Sequence, residues 1–259
     1  DHRDLHLSIR RQRQMCIRDR SRTVPFVSKS TNVPLAKIAS QLSVGKKLKE
    51  YDLTRWDTIN HIAIKEAVLP FNKFPAESIF LSPEMKSTGE VMGISDTFGL
   101  SFYKATLSAG IELPGEGEIF ISVIDEDKFK IISIARGFIE LGFKIIATEG
   151  TSEELKKNGI STDTVYKVGE GRPNIVDRIK NNKINLVVNT PLGEQSRYDE
   201  EAIGKACIQK GIMAITTISA AEAVLHAIRT RNKNKVKCNP SVWKAVSYTH
   251  LRAHETPEQ

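Results

Sequence analysis

The chain has 259 residues, of which 40% are apolar and 27% are charged, enough for one large or two modest folded domains. No apolar run approaches the roughly 20 residues that a membrane-spanning helix needs. The cysteines Cys16, Cys207 and Cys238 are too scattered for a disulfide framework or a zinc site. The composition therefore predicts a soluble, cytoplasmic protein that does not associate with a membrane.

The formal net charge of +7 is concentrated near the start, where residues 1–22 hold seven arginines against three aspartates. In the rest of the chain basic and acidic residues are interleaved. No basic stripe alternates with aromatic residues, as a nucleic-acid groove would require. We therefore expect small anionic ligands rather than nucleic acid.

The two ends of the chain differ from its middle. Residues 1–21 and 246–259 show neither helical nor strand periodicity. Both resemble peptides that arise when sequencing-adapter DNA is translated in frame with a gene. We predict that they are non-native, with disordered tails as the alternative, and we exclude them from the fold prediction.

Residues 22–110 are mixed in character and punctuated by proline. The sequence predicts a short strand at 24–27, a helix at 35–42 with Asn32 as its cap, a strand at 64–71 and a helix at 98–109. This part lacks the repeated strand and helix units of a complete domain.

From residue 111 to residue 245, strands and helices alternate. Apolar runs predict strands at 119–124, 144–148, 164–168, 186–190 and 213–218. Between and after them, helices are predicted at 128–141, 152–158, 173–182, 199–210 and 219–231. This order predicts an α/β fold with a doubly wound parallel sheet of five strands.

Polar side chains follow two of these predicted strands. The donors at their ends are Thr148, Thr151, Ser152, Asn189 and Thr190. Because ligands of open parallel sheets bind beyond the carboxyl ends of the strands, these residues predict an anion site. The alternative is structural: Thr151 and Glu154 fit a helix capping box, and Asn-Thr-Pro at 189–191 is ordinary turn chemistry.

Four segments carry a resemblance to a known family. They are Arg-Thr-Val-Pro-Phe-Val-Ser-Lys at 22–29, Val-Leu-Pro-Phe-Asn-Lys-Phe at 68–74, Pro-Glu-Met-Lys-Ser-Thr-Gly-Glu-Val-Met-Gly at 83–93 and Glu-Gly-Arg-Pro-Asn-Ile-Val-Asp-Arg-Ile-Lys at 170–180. Over residues 22–245 the chain resembles the carboxyl-terminal third of the large subunit of carbamoyl phosphate synthetase. The resemblance implies the end of an ATP-grasp unit at 22–110 and a methylglyoxal synthase-like regulatory domain at 111–245.

The resemblance implies a parent enzyme that makes carbamoyl phosphate for pyrimidine and arginine synthesis. That enzyme uses ATP with Mg²⁺ or Mn²⁺, and its partner is a glutamine amidotransferase small subunit. In the family, the metal ligands lie just before the Arg-Thr-Val-Pro-Phe segment, where this chain has the adapter-like residues 16–20. The fragment itself is therefore expected to be non-catalytic, to hold no cofactor, and to work with the remainder of the large subunit.

The resemblance also implies an effector site for a nucleotide monophosphate such as UMP or IMP. Its positions fall on Lys128, Thr148, Thr151, Lys167 and Asn189, and Thr190 follows the last of them. Three departures from the family pattern are Pro191 in place of a threonine, Glu149 in place of a histidine, and Gly204 and Lys205 in place of arginines. The Glu149 charge would oppose a phosphate if it pointed inward.

An ornithine site of some family members would leave a remnant at Glu66 and Thr216, although Ala214 replaces a tyrosine there. Taken alone, Glu66 is expected to be a surface residue in a salt bridge.

Three functions stay open: a nucleotide-binding allosteric module, a ligand-free structural scaffold, and a methylglyoxal synthase-like lyase. The lyase chemistry needs a carboxylate base and a neutral histidine beside the phosphate. Residues 172–174 replace the family's Gly-Gly-Asp, and no histidine lies between His61 and His226.

Overall fold

A computed structural model describes residues 23–51, 53, 59–71, 79, 87–190 and 197–234, so the segments 1–21 and 246–259 lie outside the described residues. The helices are α1 (Thr23–Thr31), α2 (Leu35–Ser43), α3 (Phe98–Ser108), α4 (Lys128–Glu140), α5 (Glu149–Lys157), α6 (Ile175–Lys180), α7 (Arg197–Lys210) and α8 (Ile218–Asn234). The strands are β1 (Ile62–Val68), β2 (Gly89–Ser95), β3 (Glu118–Ser122), β4 (Lys144–Ala147), β5 (Asp163–Thr164), β6 (Leu186–Asn189) and β7 (Met213–Ile215). Short 3₁₀ turns lie at Leu48–Glu50 and Asp125–Asp127.

The predicted five-stranded sheet is confirmed. Its strand order is β5-β4-β3-β6-β7, and every neighbouring pair is parallel. The chain proceeds from β3 outward to β4 and β5, and then returns to the other side of β3 with β6 and β7. The order therefore reverses between β3 and β6, which is the position where open α/β sheets bind their ligands.

Helices cover both faces of this sheet, which explains the continuous apolar runs of its central strands. Ile119 and Ile121 of β3 belong to a core shared with α3, α4 and α8. Phe120, between them, faces the opposite core, which α6 and α7 complete. Cys207 of α7 lies in that second core, where burial raises the pKa of its thiol to about 12. It therefore packs as a small apolar residue.

A separate two-stranded antiparallel sheet, β1–β2, lies before the larger one. Helix α3 packs on this pair with one side and on α8 with another. The Arg231 guanidinium of α8 donates to the carbonyls of Leu113 and Pro114 at 2.7 and 3.0 Å, and lies 5.7 Å from the centroid of the Tyr103 ring. Helix α3 therefore contributes to the core of the region that follows it, and the domain boundary at residue 110 stays a prediction.

Two predictions for the first region are wrong. Residues 24–27 form part of the helix α1 rather than a strand, because Pro25 lies in the first helical turn, where its missing N–H is not needed. Short apolar runs do not by themselves distinguish a strand from a helix. Asn32 does not cap α2, since Pro34 precedes that helix; with φ at 56°, Asn32 instead follows the end of α1.

The predicted strand at 164–168 is also shorter than expected. β5 spans only Asp163–Thr164, and Tyr166 forms a single isolated bridge with Asn174. Asn174 caps α6. Its side-chain oxygen accepts a hydrogen bond from the Asp177 backbone amide at 3.1 Å, and its backbone amide donates to the Asp177 carboxylate at 3.1 Å. The chain therefore leaves the sheet early and turns toward the second core.

In the described ranges, no helix combines the length and the apolar character needed to cross a bilayer.

We predict that Gly93→Ala destabilises the packing of α3 on β2 by about 1–3 kcal/mol, because a methyl group there would overlap backbone atoms. The added Cβ would lie 2.6 Å from the Ala105 amide nitrogen and closer still to the Ser101 carbonyl oxygen. Gly89→Ala is the matched control in the same strand, since nothing lies within 4 Å of a Cβ at that position. Urea unfolding of both variants measures the effect, and equal free energies of unfolding would contradict this packing.

Candidate functional site

A cleft opens at the carboxyl edge of the large sheet, where β3 and β6 end. Its empty volume, including the part open to solvent, is about 350 Å³. The polar side chains that line it are Ser122, Thr148, Lys167, Asn189, Thr190, Asp199 and Glu200. The apolar ones are Phe120, Val168, Ile175 and Ile203. We call this the β3–β6 cleft.

Neighbouring strand ends place the hydroxyl groups of Ser122 and Thr148 in the cleft, and Thr151 of α5 lies beside Thr148. Ser122 ends β3, where it pairs in register with Asn189 of β6, and Thr148 follows β4. The Thr148 Oγ1 lies 3.3 Å from the Ser122 Oγ and 3.4 Å from the Thr151 Oγ1. These threonines and the serine are buried, and the parallel pairing of β3 with β4, together with the first turn of α5, brings hydroxyls from two chain segments together.

Two threonine hydroxyls also hold the loop after β3. The Val123 amide donates to Thr151 Oγ1 at 3.3 Å, and the Ile124 amide donates to Thr190 Oγ1 at 3.0 Å. Both hydroxyls therefore accept from the backbone, and each keeps a hydrogen that it can donate. Because Thr151→Val would leave a buried amide unpaired, that variant would change stability as well as any binding.

The predicted capping box of Thr151 and Glu154 is wrong. Helix α5 begins at Glu149, so that Thr148 occupies the N-cap position and Thr151 lies inside the first turn. The Thr148 side chain makes no capping hydrogen bond. The pattern of a serine or threonine followed three residues later by an acidic residue therefore places the helix start one turn too late. The buried hydroxyls face the sheet rather than the amides of the helix.

The two lysines of the predicted site are each paired with a carboxylate three residues away. Lys167 Nζ lies 3.5 Å from Glu170 Oε1, and Lys128 Nζ lies 2.7 Å from Asp125 Oδ1. Lys167 lines the cleft, whereas Lys128 lies beside Gly150 at the start of α5, 3.4 Å from where a Cβ atom would be. The positive charge at this edge is therefore partly neutralised from within the chain.

Two acidic residues of α7, Asp199 and Glu200, also line the cleft. Burial raises the pKa of the Asp199 carboxyl; Lys167 lowers it, while Glu170 and Glu200 raise it. Asp199 is therefore close enough to Lys167 and to Glu170 for their charges to interact. Lys167 and the threonines suit a phosphate, whereas the carboxylates suit hydrogen-bond donors such as hydroxyl groups.

Four of the six predicted site residues line the cleft: Thr148, Lys167, Asn189 and Thr190. Thr151 lies behind Thr148, and Lys128 lies at the adjoining helix start. Ser152 does not line the cleft. It is buried, with its Oγ 2.7 Å from Thr162 Oγ1 and 3.2 Å from Thr164 Oγ1. Glu149 is exposed and does not line the cleft. Pro191 lies outside the described residues.

The residues of the predicted ornithine remnant lie in different elements. Glu66 is half-buried on β1, and Thr216 is exposed after β7. Among the described residues no ion pair of Glu66 is seen, and its expected salt bridge stays a prediction; the neighbouring Lys65 Nζ lies 3.3 Å from Glu90 Oε2. Burial raises the pKa of Glu66.

Three polar residues of the cleft escaped the sequence interpretation: Ser122, Asp199 and Glu200. Ser122 carries the same signal as the threonines, a polar side chain at the end of a buried strand. The same reasoning could therefore have identified it from the sequence. Asp199 and Glu200 lie in the first turn of α7, where acidic residues are common for helix-dipole reasons alone. Their pattern gave no sign that they face a cleft.

Comparison with known proteins confirms the family resemblance. The model of the MGS-like domain matches residues 130–216. The carbamoyl phosphate synthase large chain of Acidobacterium capsulatum is 50% identical over 229 residues, which is 85% of this chain. That of Archaeoglobus fulgidus is 48% identical over 231 residues, or 89% of this chain. The "Carbamoyl phosphate synthase large chain, C-terminal section" of Aquifex aeolicus is 48% identical over 231 residues, or 83% of this chain.

The chain spans only part of these relatives. The match covers 21% of the Acidobacterium and Archaeoglobus proteins and 43% of the Aquifex section. The described fold consists of an MGS-like domain with its five-stranded parallel sheet, preceded by a segment with a small antiparallel sheet.

Proposed function

We propose that this chain, which carries an MGS-like domain in a sequence similar to carbamoyl phosphate synthase large chains, is the effector-binding part of such a large chain. Its ligand is a nucleoside monophosphate, UMP or IMP, held in the β3–β6 cleft. One observation carries the proposal: the topological switch point brings Thr148, Lys167, Asn189 and Thr190 to one cleft.

The chemistry of the cleft suits a ligand with one anionic and one neutral end. Hydroxyl hydrogens, an amide and an ammonium are donors for phosphate oxygens, and the free amides at the start of α5 add to them. Beyond the phosphate, Val168, Ile175 and Ile203 offer an apolar surface to a nucleobase. In this arrangement Asp199 accepts from the hydroxyl groups of the sugar. Lys128 and Thr151 support the phosphate from the adjoining turn.

A specific observation favours the scaffold alternative. Thr151 and Thr190 both accept backbone amides of the loop after β3, so each has a structural role without any ligand. In that case the cleft serves only to shape the loop, and the domain contributes a packing surface to the large chain. For the lyase alternative, the described residues that line the cleft include no histidine.

The proposal assigns catalysis to the remainder of the large chain. ATP, Mg²⁺ or Mn²⁺ and the glutamine amidotransferase small subunit belong to that larger assembly, in a cytoplasmic enzyme of pyrimidine and arginine synthesis.

Helix α3 is the element through which an effector would act, since it packs on α8 and on β1–β2 together. Gly99 of α3 leaves no room against α8, where an added Cβ would lie 2.6 Å from the His226 carbonyl oxygen. Allostery further requires that the effector bind two states of the enzyme differently.

Calorimetric titration of the full chain with UMP, IMP and inorganic phosphate tests the proposal. We expect saturable binding of at least one nucleotide, tighter than that of inorganic phosphate, because the sugar and base add contacts. A protein that is folded by circular dichroism and releases no heat with any of the three would favour the scaffold alternative instead.

A further inference from the structure

Glu170 is held in a fixed position beside Lys167. Its Oε1 lies 3.5 Å from Lys167 Nζ, while its Oε2 accepts the Lys167 backbone amide at 3.2 Å. The Glu170 amide in turn donates to the Lys167 carbonyl at 3.3 Å. The tight turn from Lys167 to Glu170 therefore holds the carboxylate beside the ammonium.

The two side chains relate differently to the β3–β6 cleft. Lys167 lines it, and Glu170 does not. Both are about half exposed, at 44% and 49%, so water reaches the pair and an incoming anion can replace the carboxylate. The ammonium is thus shared between the cleft and a counterion outside it.

Other carboxylates increase the effect of this pairing. Asp199 and Glu200 of α7 line the cleft that Lys167 enters, so Lys167 is the cleft-lining cation beside two acidic residues. With Glu170 paired to it, the ammonium offers little net attraction to a weak anion. An anion that binds must offer more charge than a single carboxylate does.

We propose that Glu170 is a built-in counterion that competes with the ligand phosphate for Lys167, and thereby lowers the affinity of the cleft for that phosphate. This inference rests on the proposed function. A dianionic phosphate displaces the carboxylate because it interacts about twice as strongly with the ammonium.

The analogous pair Lys128–Asp125 does not carry the same role. The Asp125 side chain is 91% exposed, so solvent screens its charge, and neither residue lines the cleft. Glu170 differs because the Lys167 backbone amide fixes it and because its partner enters the cleft directly.

Glu170→Gln in the full chain tests the inference, with UMP and inorganic phosphate as probes in calorimetric titrations. The glutamine oxygen still accepts the Lys167 amide, so that the turn is preserved while the charge is removed. We expect affinity for UMP to rise about threefold to fivefold, the range that a half-exposed ion pair allows.

Glu154→Gln is the matched control, because it removes the same charge from another pair three residues apart, in which Glu154 Oε2 lies 3.9 Å from Lys157 Nζ near the end of α5. It should leave the affinity unchanged. In a Lys167→Met background, Glu170→Gln should also change the affinity less than twofold, since the ammonium for which Glu170 competes is gone.

The outcomes separate this inference from the proposed function. Wild-type binding of UMP with no change in Glu170→Gln overturns the counterion role and leaves the nucleotide site intact. A rise that persists in the Lys167→Met background also overturns it, because Glu170 would then act by direct repulsion. No binding by wild type or by Glu170→Gln overturns both.

Discussion

Lys167→Met should weaken the binding of UMP about tenfold to a hundredfold, the loss expected when a charge-assisted hydrogen bond of about 1.5–3 kcal/mol to the phosphate is removed. Lys167 is the one proposed phosphate ligand whose positive charge lines the cleft directly. Because its side chain is partly exposed and its ion pair with Glu170 contributes little to folding, the free energy of unfolding should stay nearly the same.

Lys157→Met is the control for this variant. Lys157 is a more exposed lysine at the end of α5, also paired with a glutamate three residues away. Its replacement removes the same charge and should leave the affinity unchanged. Calorimetric titration of both variants decides the matter: if they bind UMP equally well, Lys167 does not contact the phosphate and the site is misplaced.

Phe138→Ala should destabilise the MGS-like domain by about 3–5 kcal/mol, through lost apolar burial and the cavity that remains. Phe138 of α4 is 0% exposed, and its ring meets that of Phe143 edge to face with centroids 5.9 Å apart. Such a loss is a large part of the stability of an ordinary domain.

Phe129→Ala, nine residues earlier in the same helix, is the matched control. Its ring is 85% exposed, so the change should lie within about 0.5 kcal/mol of wild type. Urea unfolding followed by circular dichroism measures both variants. Similar free energies of unfolding would mean that α4 does not present the described face to the sheet.

The parallel sheet could be predicted because its central strands are buried on both faces. Such strands appear in the sequence as continuous apolar runs, and helical stripes separated them at regular intervals. The edge strand β5 was less predictable: only Asp163–Thr164 pairs with β4, and Tyr166 has already turned away toward the capped start of α6. Apolar residues in the sequence do not by themselves show where the pairing between two strands ends.

The first region shows where local patterns mislead. Residues 24–27 contain two valines, a proline and a phenylalanine, which favour a strand by composition, yet they form a helical turn. No residue of α1 is buried, so there is no apolar periodicity to distinguish the two. The strand predicted at 64–71 corresponds to β1, whereas no strand was predicted where β2 lies.

The site was predictable where its residues end strands. Thr148, Asn189 and Thr190 reach the same edge because parallel strands share a direction. Glu170 and Asp199 were not predictable in their roles, because their effect depends on the distance to the Lys167 ammonium. For Glu170 that distance is set by a turn, and for Asp199 it is set by the packing of α7. Neither distance follows from residue spacing alone.

The most direct test of the central claim is an NMR titration of the isotopically labelled full chain with UMP. Binding at the β3–β6 cleft predicts saturable shifts of the amides of Ser122, Thr148, Lys167 and Asn189, with those of the exposed end of β1–β2 unaffected. Saturable shifts confined to other parts of the chain, or none at millimolar ligand, would contradict the claim that this edge of the sheet is an effector site.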